Sequence, residues 1–277
     1  MPTLPSARAG LSELEPLQLR RIAESFGSDP DRYDRARPRY PQAMVERIVA
    51  ESPGLGFLDV GIGTGIAARQ FQAAGCKVLG VDVDARMADW ARRHGQTVEV
   101  SLFEAWDAAG RKFDGVISGQ TWHWVEPVAG AAKAAEVLRP GGRLAVFWKA
   151  GQMPPEVARP LGEVYRRLMP DSLASRAASA PTGAGYSSLS DRAADGMRRA
   201  GALARPEEWR LDWEQSYTRD EWLDLVPTQG DHTQLTPAKL DEVLSAVGAV
   251  IDDLGGSFTM GYTTSVVTSV PPVATSR

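Results

Sequence analysis

Three alternate glycines follow a short apolar run in the stretch Phe57-Leu58-Asp59-Val60-Gly61-Ile62-Gly63-Thr64-Gly65. The apolar run predicts a buried strand, and the residues after the glycines predict a helix. Glycine lets a ligand approach the backbone closely, and a helix N-terminus offers free N–H groups. Residues 63–68 also fit the dinucleotide pattern G-x-G-x-x-A, while a P-loop is excluded because no Gly-Lys-Ser/Thr follows. The spacing therefore predicts a ligand site at the end of this strand.

An acidic residue ends the next predicted strand, in Gly80-Val81-Asp82-Val83-Asp84. Asp82 lies 17 residues after Gly65, and a carboxylate there can accept hydrogen bonds from both hydroxyls of a ribose. A solvated acid at a strand end is the alternative interpretation. The glycine loop upstream favours ligand binding.

The histidines are the candidates for acid–base chemistry. His123, in Trp122-His123-Trp124, could be the general base for an oxygen or nitrogen nucleophile, and the alternative is a structural histidine bonded to a loop carbonyl. His232 lies in a predicted loop that could reach the site. His94 is expected at a helix end, where its charge is favourable.

The composition limits what kind of protein can carry such a site. The chain has 277 residues, of which 43% are hydrophobic and 24% charged, and its formal net charge is −4. These values are typical of a globular protein and disfavour a general nucleic-acid binder. One cysteine, Cys76, excludes an internal disulfide and a cysteine zinc cluster, and three histidines leave little room for a histidine site. We therefore expect no metal.

Strands and helices alternate around these residues. The predicted strands are Phe57–Val60, Lys77–Val81, Thr97–Leu102, Phe113–Ser118 and Arg143–Trp148. The predicted helices between them are Ile66–Ala74, Ala85–His94 and a segment from Pro127 to Leu138. Five strands with mostly helical connections predict an α/β fold with a parallel, doubly wound sheet.

Changes of composition predict four regions. They are an N-terminal helical extension (1–27), a ligand-binding core (28–151), a helical cap insertion (152–204) and the C-terminal part of the core sheet (205–277).

Local signals predict structure within the later regions. The insertion contains two expected helices, near residues 160–169 and 191–200, with a mobile loop at Gly183–Ser190. Thr218-x-x-Glu221 predicts a capping box, and Thr236-Pro237 predicts another helix start.

The N-terminus predicts neither export nor membrane anchoring. It lacks the apolar core of a signal peptide, and Glu13 and Glu15 disfavour a transit peptide. No stretch approaches the roughly 20 apolar residues that span a bilayer. We expect a soluble, cytoplasmic protein without a membrane partner. The apolar stripe of residues 11–26 must be buried, either on its own ligand pocket or on another subunit of a homo-oligomer.

Four segments together resemble a known enzyme family. FLDVGIGTGIAARQ, LGVDVDARM, FDGVISGQTWHWVEP and VLRPGGRLAVFWKAG resemble, in order and spacing, the motifs of class I S-adenosylmethionine (SAM) dependent methyltransferases. The upstream YDRARPRYP resembles the branch of trans-aconitate methyltransferase and natural-product tailoring methyltransferases. The resemblance implies a Rossmann-like, mostly parallel sheet of seven strands, with a helical cap insertion and an extra N-terminal helix. It also implies SAM as the cofactor.

The resemblance implies roles for individual residues. Asp59 and the backbone of Gly61, Gly63 and Gly65 would lie by the methionine half of SAM, and Gln120 would line the same end. Asp82 would hold the ribose. Val83 and Met87 would pack on the adenine. Relatives often have an acid after the third strand, where this chain has Leu102, so adenine recognition would rest on the backbone near Phe103 and Glu104.

A sulfonium favours aromatic faces, and several aromatic residues could form such a wall. The candidates are Tyr33 and Tyr40, with Trp122, Trp124 and Trp148 expected in a substrate pocket together with His232. Each aromatic residue could equally be a core residue. Arg37 could bind the methionine carboxylate or an acidic substrate, and the alternative is a solvated arginine. With His123, Tyr33 and Tyr40 are the candidate catalytic residues.

Several functions remain open. The leading hypothesis is a SAM-dependent methyltransferase of secondary metabolism that acts on a small molecule, with C-methylation of an aromatic or terpenoid natural product as one interpretation. A C-methylation would need no base in its first step. O-methylation of a carboxylate, as in the trans-aconitate relatives, is an alternative. Further alternatives are an NAD-type oxidoreductase, which residues 151–277 do not support, and a non-catalytic SAM-binding protein.

Overall fold

The computed structural model of the chain describes residues 26–172, 175, 184–230 and 232–272. The N-terminal helix predicted over residues 11–26 lies outside these residues, apart from Phe26, which begins the 3-10 turn Phe26–Ser28. The helical extension that the sequence predicts over residues 1–27 therefore stays a prediction.

A seven-stranded sheet forms the centre of the chain. The strands are β1 Gly56–Val60, β2 Lys77–Asp82, β3 Thr97–Val100, β4 Phe113–Gly119, β5 Leu138–Gln152, β6 Glu207–Thr218 and β7 Ser257–Ser269. Their order is β3-β2-β1-β4-β5-β7-β6. The pairs β1–β2, β1–β4, β2–β3 and β4–β5 are parallel. The order reverses direction after β1, so β1 and β4 border the point where such sheets bind ligands.

Helices connect these strands. The helices in the described part of the chain are α1 Pro30–Ala36, α2 Gln42–Ala50, α3 Ile66–Ala73, α4 Ala85–Arg93, α5 Pro127–Val137, α6 Pro155–Leu168, α7 Ala184–Ala200, α8 Arg219–Leu225 and α9 Pro237–Asp253. The predicted capping box is confirmed at α8, where Thr218 and Glu221 exchange side-chain and backbone hydrogen bonds. Thr236 caps α9 through the N–H of Lys239, as its position before Pro237 predicts.

Alternate residues of the central strands belong to two separate apolar clusters. Leu58 and Val60 of β1 pack in one cluster and Phe57 packs in the other. In β5, Val146 and Phe147 divide in the same way. Because successive side chains of a strand point to opposite faces, both faces of the sheet are covered, and the predicted doubly wound arrangement is confirmed.

The chain divides into two compact units. Among the described residues, one unit, here the sheet unit, contains residues 39–149, 186–211 and 264–272, and the other, here the second unit, contains residues 26–38, 150–172, 175, 184–185, 212–230 and 232–263. The second unit has its own apolar cluster, built from α6, α8, α9 and parts of β6 and β7. The predicted insertion over residues 152–204 is shared between the units, since α6 belongs to the second unit and most of α7 to the sheet unit.

One local prediction is wrong. Gly183–Ser190 was expected to be a loop, but α7 begins at Ala184, because Leu189 and Ser190 start a face that packs through Ala193 and Ala194 into the core. β5 begins earlier than the predicted strand Arg143–Trp148, and Pro140-Gly141-Gly142 forms a bulge before that strand. Phe113 pairs with Leu138 and Gly115 with Arg143, so residues 139–142 stand out of the ladder.

Within the described residues, none of the helices is long and apolar enough to cross a membrane.

Candidate cofactor site

The glycine loop connects β1 to α3 in backbone conformations that favour glycine. Gly61, Gly63 and Gly65 have φ values of 71°, 56° and 86°. A Cβ at Gly61 would lie 2.0 Å from Cγ2 of Thr121, so a side chain there is excluded by space as well. The N–H of Gly61 donates to the carbonyl of Val81, which ties the loop to β2. The residues Gly61 and Gly63 are partly exposed, at the place where the sequence predicts a ligand.

Asp82 ends β2 directly beside this loop. Its carboxylate accepts hydrogen bonds from the N–H of Gly63 at 2.7 Å and from the N–H of Asp84 at 2.8 Å. Burial is the main cause that raises its pKa, and these two hydrogen bonds act in the opposite direction. The side chain is thus fixed at the loop, in the position that the sequence predicts for a residue that binds hydroxyls.

Asp59 lies beneath the loop with 1% of its surface exposed. Among the described residues, neither carboxyl oxygen has a partner with good hydrogen-bond geometry, and the backbone of Ala68 only partly opposes the effect of burial on its pKa. Burial raises its pKa to about 8, and the nearby Asp82 carboxylate adds to the rise. A buried carboxyl without a partner is costly, and a cationic group is the partner that would relieve this cost.

An exposed apolar pair follows β2 and β3. The exposed fractions are 60% for Val83 and 64% for Leu102, which are high values for aliphatic side chains. Met87 is buried, and its Cε would lie 4.0 Å from a Cβ at Gly63. The two exposed side chains offer an apolar surface for a flat ring, and Met87 extends it toward the glycine loop.

Phe103 and Glu104 have other partners. Phe103 is buried, with its ring centroid 6.1 Å from that of Trp122. The Glu104 carboxylate accepts a hydrogen bond from the N–H of Glu126 at 2.7 Å. A contact of these two residues with a ligand would therefore come from their backbone, as the sequence predicts.

Gln120 follows β4 in a strained conformation, with φ at 58°. Its side-chain amide faces the backbone of Lys149 in β5, with Nε2 3.3 Å from the carbonyl and Oε1 3.4 Å from the N–H. The next residue, Thr121, has its hydroxyl 3.2 Å from the carbonyl of Gly61. This turn thus lies against the glycine loop and holds Gln120 at the same edge of the sheet.

Lys149 and Gln70 are site candidates that the sequence reasoning missed. Lys149 is 7% exposed, and its ammonium lies 4.1 Å from the ring centroid of Tyr40. The Gln70 amide exchanges two hydrogen bonds with the backbone of Tyr40, at 3.0 and 2.8 Å, which fix this aromatic residue. The signal for Lys149 was a lysine at the end of the apolar run Leu144–Trp148.

His123 accepts a hydrogen bond through one of its two ring nitrogens. The indole N–H of Trp148 donates to its Nδ1 at 3.3 Å, so Nε2 carries the proton of the neutral ring. Burial, with the positive charge of Arg192, lowers its pKa to about 4. This arrangement makes Nε2 a hydrogen-bond donor and makes the ring a weak general base.

The three tryptophans of the predicted substrate pocket differ in how deeply their side chains are buried. Trp122 and Trp148 are 2% and 1% exposed and belong to the apolar core, which is the alternative that the sequence left open. Trp124 is partly exposed, with its ring centroid 4.7 Å from that of His123.

The remaining candidates belong to the second unit. Arg37 lies with its guanidinium carbon 4.9 Å from the centroid of the Tyr33 ring, and it donates a hydrogen bond to the carbonyl of Thr228. His232 is buried beside Tyr165. The structure therefore brings the glycine loop, Asp82 and Gln120 together in the sheet unit, and it groups Tyr33, Arg37 and His232 in the other.

No group of three potential metal ligands occurs among the residues that the structure describes. The site is thus built from backbone, two carboxyls, an amide and an apolar surface.

One known protein family matches the part of the chain that contains the glycine loop and Asp82. Residues 58–146 match the methyltransferase domain family. The matched segment begins in β1, contains the glycine loop and Asp82, and ends in β5.

Curated proteins named as methyltransferases are similar to about half of this chain. The chain is 34% identical over 150 residues to an uncharacterised methyltransferase of Mycobacterium tuberculosis, which covers 53% of this chain and 61% of that protein. It is 30% identical over 157 residues to a malonyl-[acyl-carrier protein] O-methyltransferase of Enterobacter lignolyticus, which covers 52% and 59%. The chain thus spans less than two thirds of the length of the curated relatives it matches.

A solved structure extends the likeness to most of the fold. A protein of Anaeromyxobacter dehalogenans assigned as a type II methyltransferase aligns with a TM-score of 0.60 and 22% identity, over 84% of this chain and 97% of that one. At this identity the likeness concerns the fold. Together with the strand order, it confirms the predicted Rossmann-like methyltransferase fold with seven strands.

Proposed function

We propose that this chain binds SAM at the glycine loop and transfers its methyl group to a small molecule. The methyltransferase domain at residues 58–146 and the curated relatives support the reaction class. The finer assignment to the branch of trans-aconitate methyltransferase and natural-product tailoring enzymes rests on the sequence motifs alone. A homo-oligomer formed through residues 1–27 stays a prediction.

The unpaired Asp59 carboxyl is the observation that carries the cofactor proposal. SAM bears an ammonium and a sulfonium, so it supplies a buried acid with a cationic partner. NAD would instead bring a pyrophosphate, which offers the Asp59 carboxyl no cationic partner and places an anion beside the Asp82 carboxylate. The site therefore fits SAM better than a dinucleotide.

Other residues of the site fit the remaining parts of SAM. Asp82, already fixed by two backbone N–H groups, has a carboxylate suited to ribose hydroxyls. Val83 and Leu102 offer the adenine an apolar surface. Gln120, held by the backbone of Lys149, would line the methionine end.

The bound cofactor supplies an electrophilic methyl group on a sulfonium, and the chain contributes alignment. Holding two reactants in place can lower a barrier by about 7–11 kcal/mol at best. His123, neutral and with its proton on Nε2, can orient an acceptor by donating a hydrogen bond. A residue that donates rather than accepts favours an acceptor whose first step needs no base. C-methylation of an aromatic or terpenoid compound is therefore the preferred proposal.

A second candidate reaction is O-methylation of a carboxylate. The ammonium of Lys149 is largely buried beside Tyr40, at the end of the strand that holds Gln120. A positive charge at this position attracts an anionic acceptor, and a carboxylate needs no general base because it is already deprotonated at neutral pH. The name of the Enterobacter lignolyticus relative describes an O-methyltransferase.

Calorimetric titration with S-adenosylhomocysteine, with NAD as the control ligand, tests the cofactor proposal. We expect micromolar binding of S-adenosylhomocysteine alone. Val83→Asp should weaken it at least tenfold, because the substitution places a charge on the apolar surface. Leu55→Asp is the matched control, since Leu55 is 48% exposed and lies just before the opposite end of β1. Binding of NAD, or equal effects of the two variants, would contradict the proposal.

Methyl-labelled SAM tests turnover. Label should move to small aromatic or terpenoid acceptors if carbon is methylated, and to dicarboxylic acids if Lys149 selects the acceptor. Tight binding of S-adenosylhomocysteine without label transfer to either class would favour the third hypothesis, a SAM-binding protein without activity.

A further inference from the structure

The second unit contains a cavity of about 140 Å³. Its apolar wall is formed by Tyr33, Pro227, Leu235 and Leu240. A cavity of this size accommodates one six-membered ring, since an engineered apolar cavity of about 150 Å³ binds benzene.

His232 is a polar side chain in this wall with unused hydrogen-bonding capacity. It is 2% exposed, and neither ring nitrogen has a hydrogen-bond partner among the described residues. The Tyr165 ring packs edge-on against it at 5.5 Å. Burial lowers the pKa of His232 to about 4, so the ring is neutral near pH 7 and has one donor and one acceptor nitrogen. Leaving both unpaired is unfavourable, and a ligand with a hydroxyl would satisfy one of them.

The charged residues of the wall are paired with one another. Asp29 accepts a hydrogen bond from the backbone N–H of Arg32, and the Arg32 guanidinium lies 3.2 Å from the Asp224 carboxylate. Asp224 is also held by two hydrogen bonds from Arg35, at 2.7 and 2.8 Å. Because these charges balance locally, the cavity favours an uncharged ligand.

Two further polar residues of the wall, Thr228 and Thr233, are hydrogen-bonded to the backbone. The hydroxyl of Thr228 donates to the carbonyl of Leu225, and that of Thr233 donates to the carbonyl of Gly230, each at 2.7 Å. These bonds fix the turn around His232 and hold its ring in the wall.

We infer that this cavity binds a single neutral six-membered ring bearing a hydroxyl group, and that His232 hydrogen-bonds the hydroxyl. The inference goes beyond the proposed methyl transfer, since it concerns residues of the second unit and needs no cofactor.

Phenol and toluene are suitable probes, because they differ by a hydroxyl in place of a methyl group. Titrations of the full chain, followed by backbone amide NMR, should give a Kd near about 1 mM for ligands of seven heavy atoms. The shifts should concentrate at Thr228, Thr233 and Leu240. If phenol changed the chemical shifts of backbone amides only in other parts of the chain, the inference would be overturned.

Two variants separate the hydrogen bond from the cavity. In His232→Phe the ring remains but both nitrogens are lost. The preference for phenol over toluene should then fall by roughly three- to tenfold, the value of one net hydrogen bond. Leu240→Trp should fill the cavity and abolish binding of both probes while His232 stays. An unchanged preference in the first variant, or retained binding in the second, would also overturn it.

Discussion

Replacement of Asp59 by asparagine should stabilise the cofactor-free chain. The carboxyl is buried and unpaired, and its pKa rises from 3.8 to about 8 on folding. Between these values the unfolded chain has released the proton and the folded chain retains it, so the free energy of unfolding falls as the pH rises. At pH 7 the loss is about 4 kcal/mol, from 1.36 kcal/mol for each unit between 3.8 and 7. Asparagine resembles the neutral carboxyl and does not ionise.

Urea denaturation of both proteins at several pH values measures this effect. We expect Asp59→Asn to be more stable by roughly 2–4 kcal/mol at pH 7, with the difference vanishing near pH 4 and levelling off above pH 8. The same variant should bind S-adenosylhomocysteine more weakly, because the negative partner of the ligand is lost.

A second buried aspartate provides the control. Asp114 accepts hydrogen bonds from the N–H of Gly56 at 2.8 Å and from Arg139 at 3.0 Å. Asp114→Asn should therefore reduce stability at pH 7, by about 1–3 kcal/mol. The reasoning about Asp59 would be refuted if Asp59→Asn were no more stable than the natural chain at pH 7. A gain of equal size at pH 4.5 and pH 7 would refute it as well.

Three further substitutions, one of them with a control variant, test the site. Asp82→Ala should weaken S-adenosylhomocysteine binding by roughly ten- to a hundredfold, or 1.5–3 kcal/mol, in calorimetry; unchanged affinity would remove Asp82 from the site. Gly61→Ala should lower the free energy of unfolding by about 2–4 kcal/mol, because the new Cβ would clash with Thr121. Gly75→Ala is its control: φ is also positive there, at 93°, but the space is open, so the free energy of unfolding should fall only by the backbone cost of about 1–2 kcal/mol. His123→Ala should leave cofactor affinity unchanged and reduce turnover less than about tenfold, since a loss of 100-fold or more is typical of a missing general base.

The parts of the fold that depend on local signals were predictable. The glycine loop, the strand-end Asp82 and the capping box at Thr218 are each encoded within a few neighbouring residues, and each lies where expected. The prediction of a loop at Gly183–Ser190 was wrong. The helix α7 is stabilised by packing of Ala193 and Ala194 against distant residues, and a composition rich in small residues does not indicate such packing.

The chemistry of individual side chains was not predictable in the same way. Whether His123 is a base depends on the indole of Trp148, 25 residues away, which takes up the lone pair of Nδ1. Lys149 is a site candidate only because β5 lies next to β4 and Tyr40 packs over its ammonium. Such pairings depend on the topology of the sheet, which the spacing of residues along the chain does not specify.

The way the chain passes between the two compact units limits how the protein can be dissected. The boundaries follow residues 38, 149, 185, 211 and 263, so the backbone passes from one unit to the other five times. A fragment that ends at residue 151 would contain every proposed SAM-binding residue of the sheet unit but would lack residues 186–211 and 264–272 of that unit. Neither unit can therefore be produced by simple truncation, and limited proteolysis at any of the three inner boundaries would leave both incomplete. Since contacts between distant segments also slow folding, we expect slow, concerted refolding of the full chain.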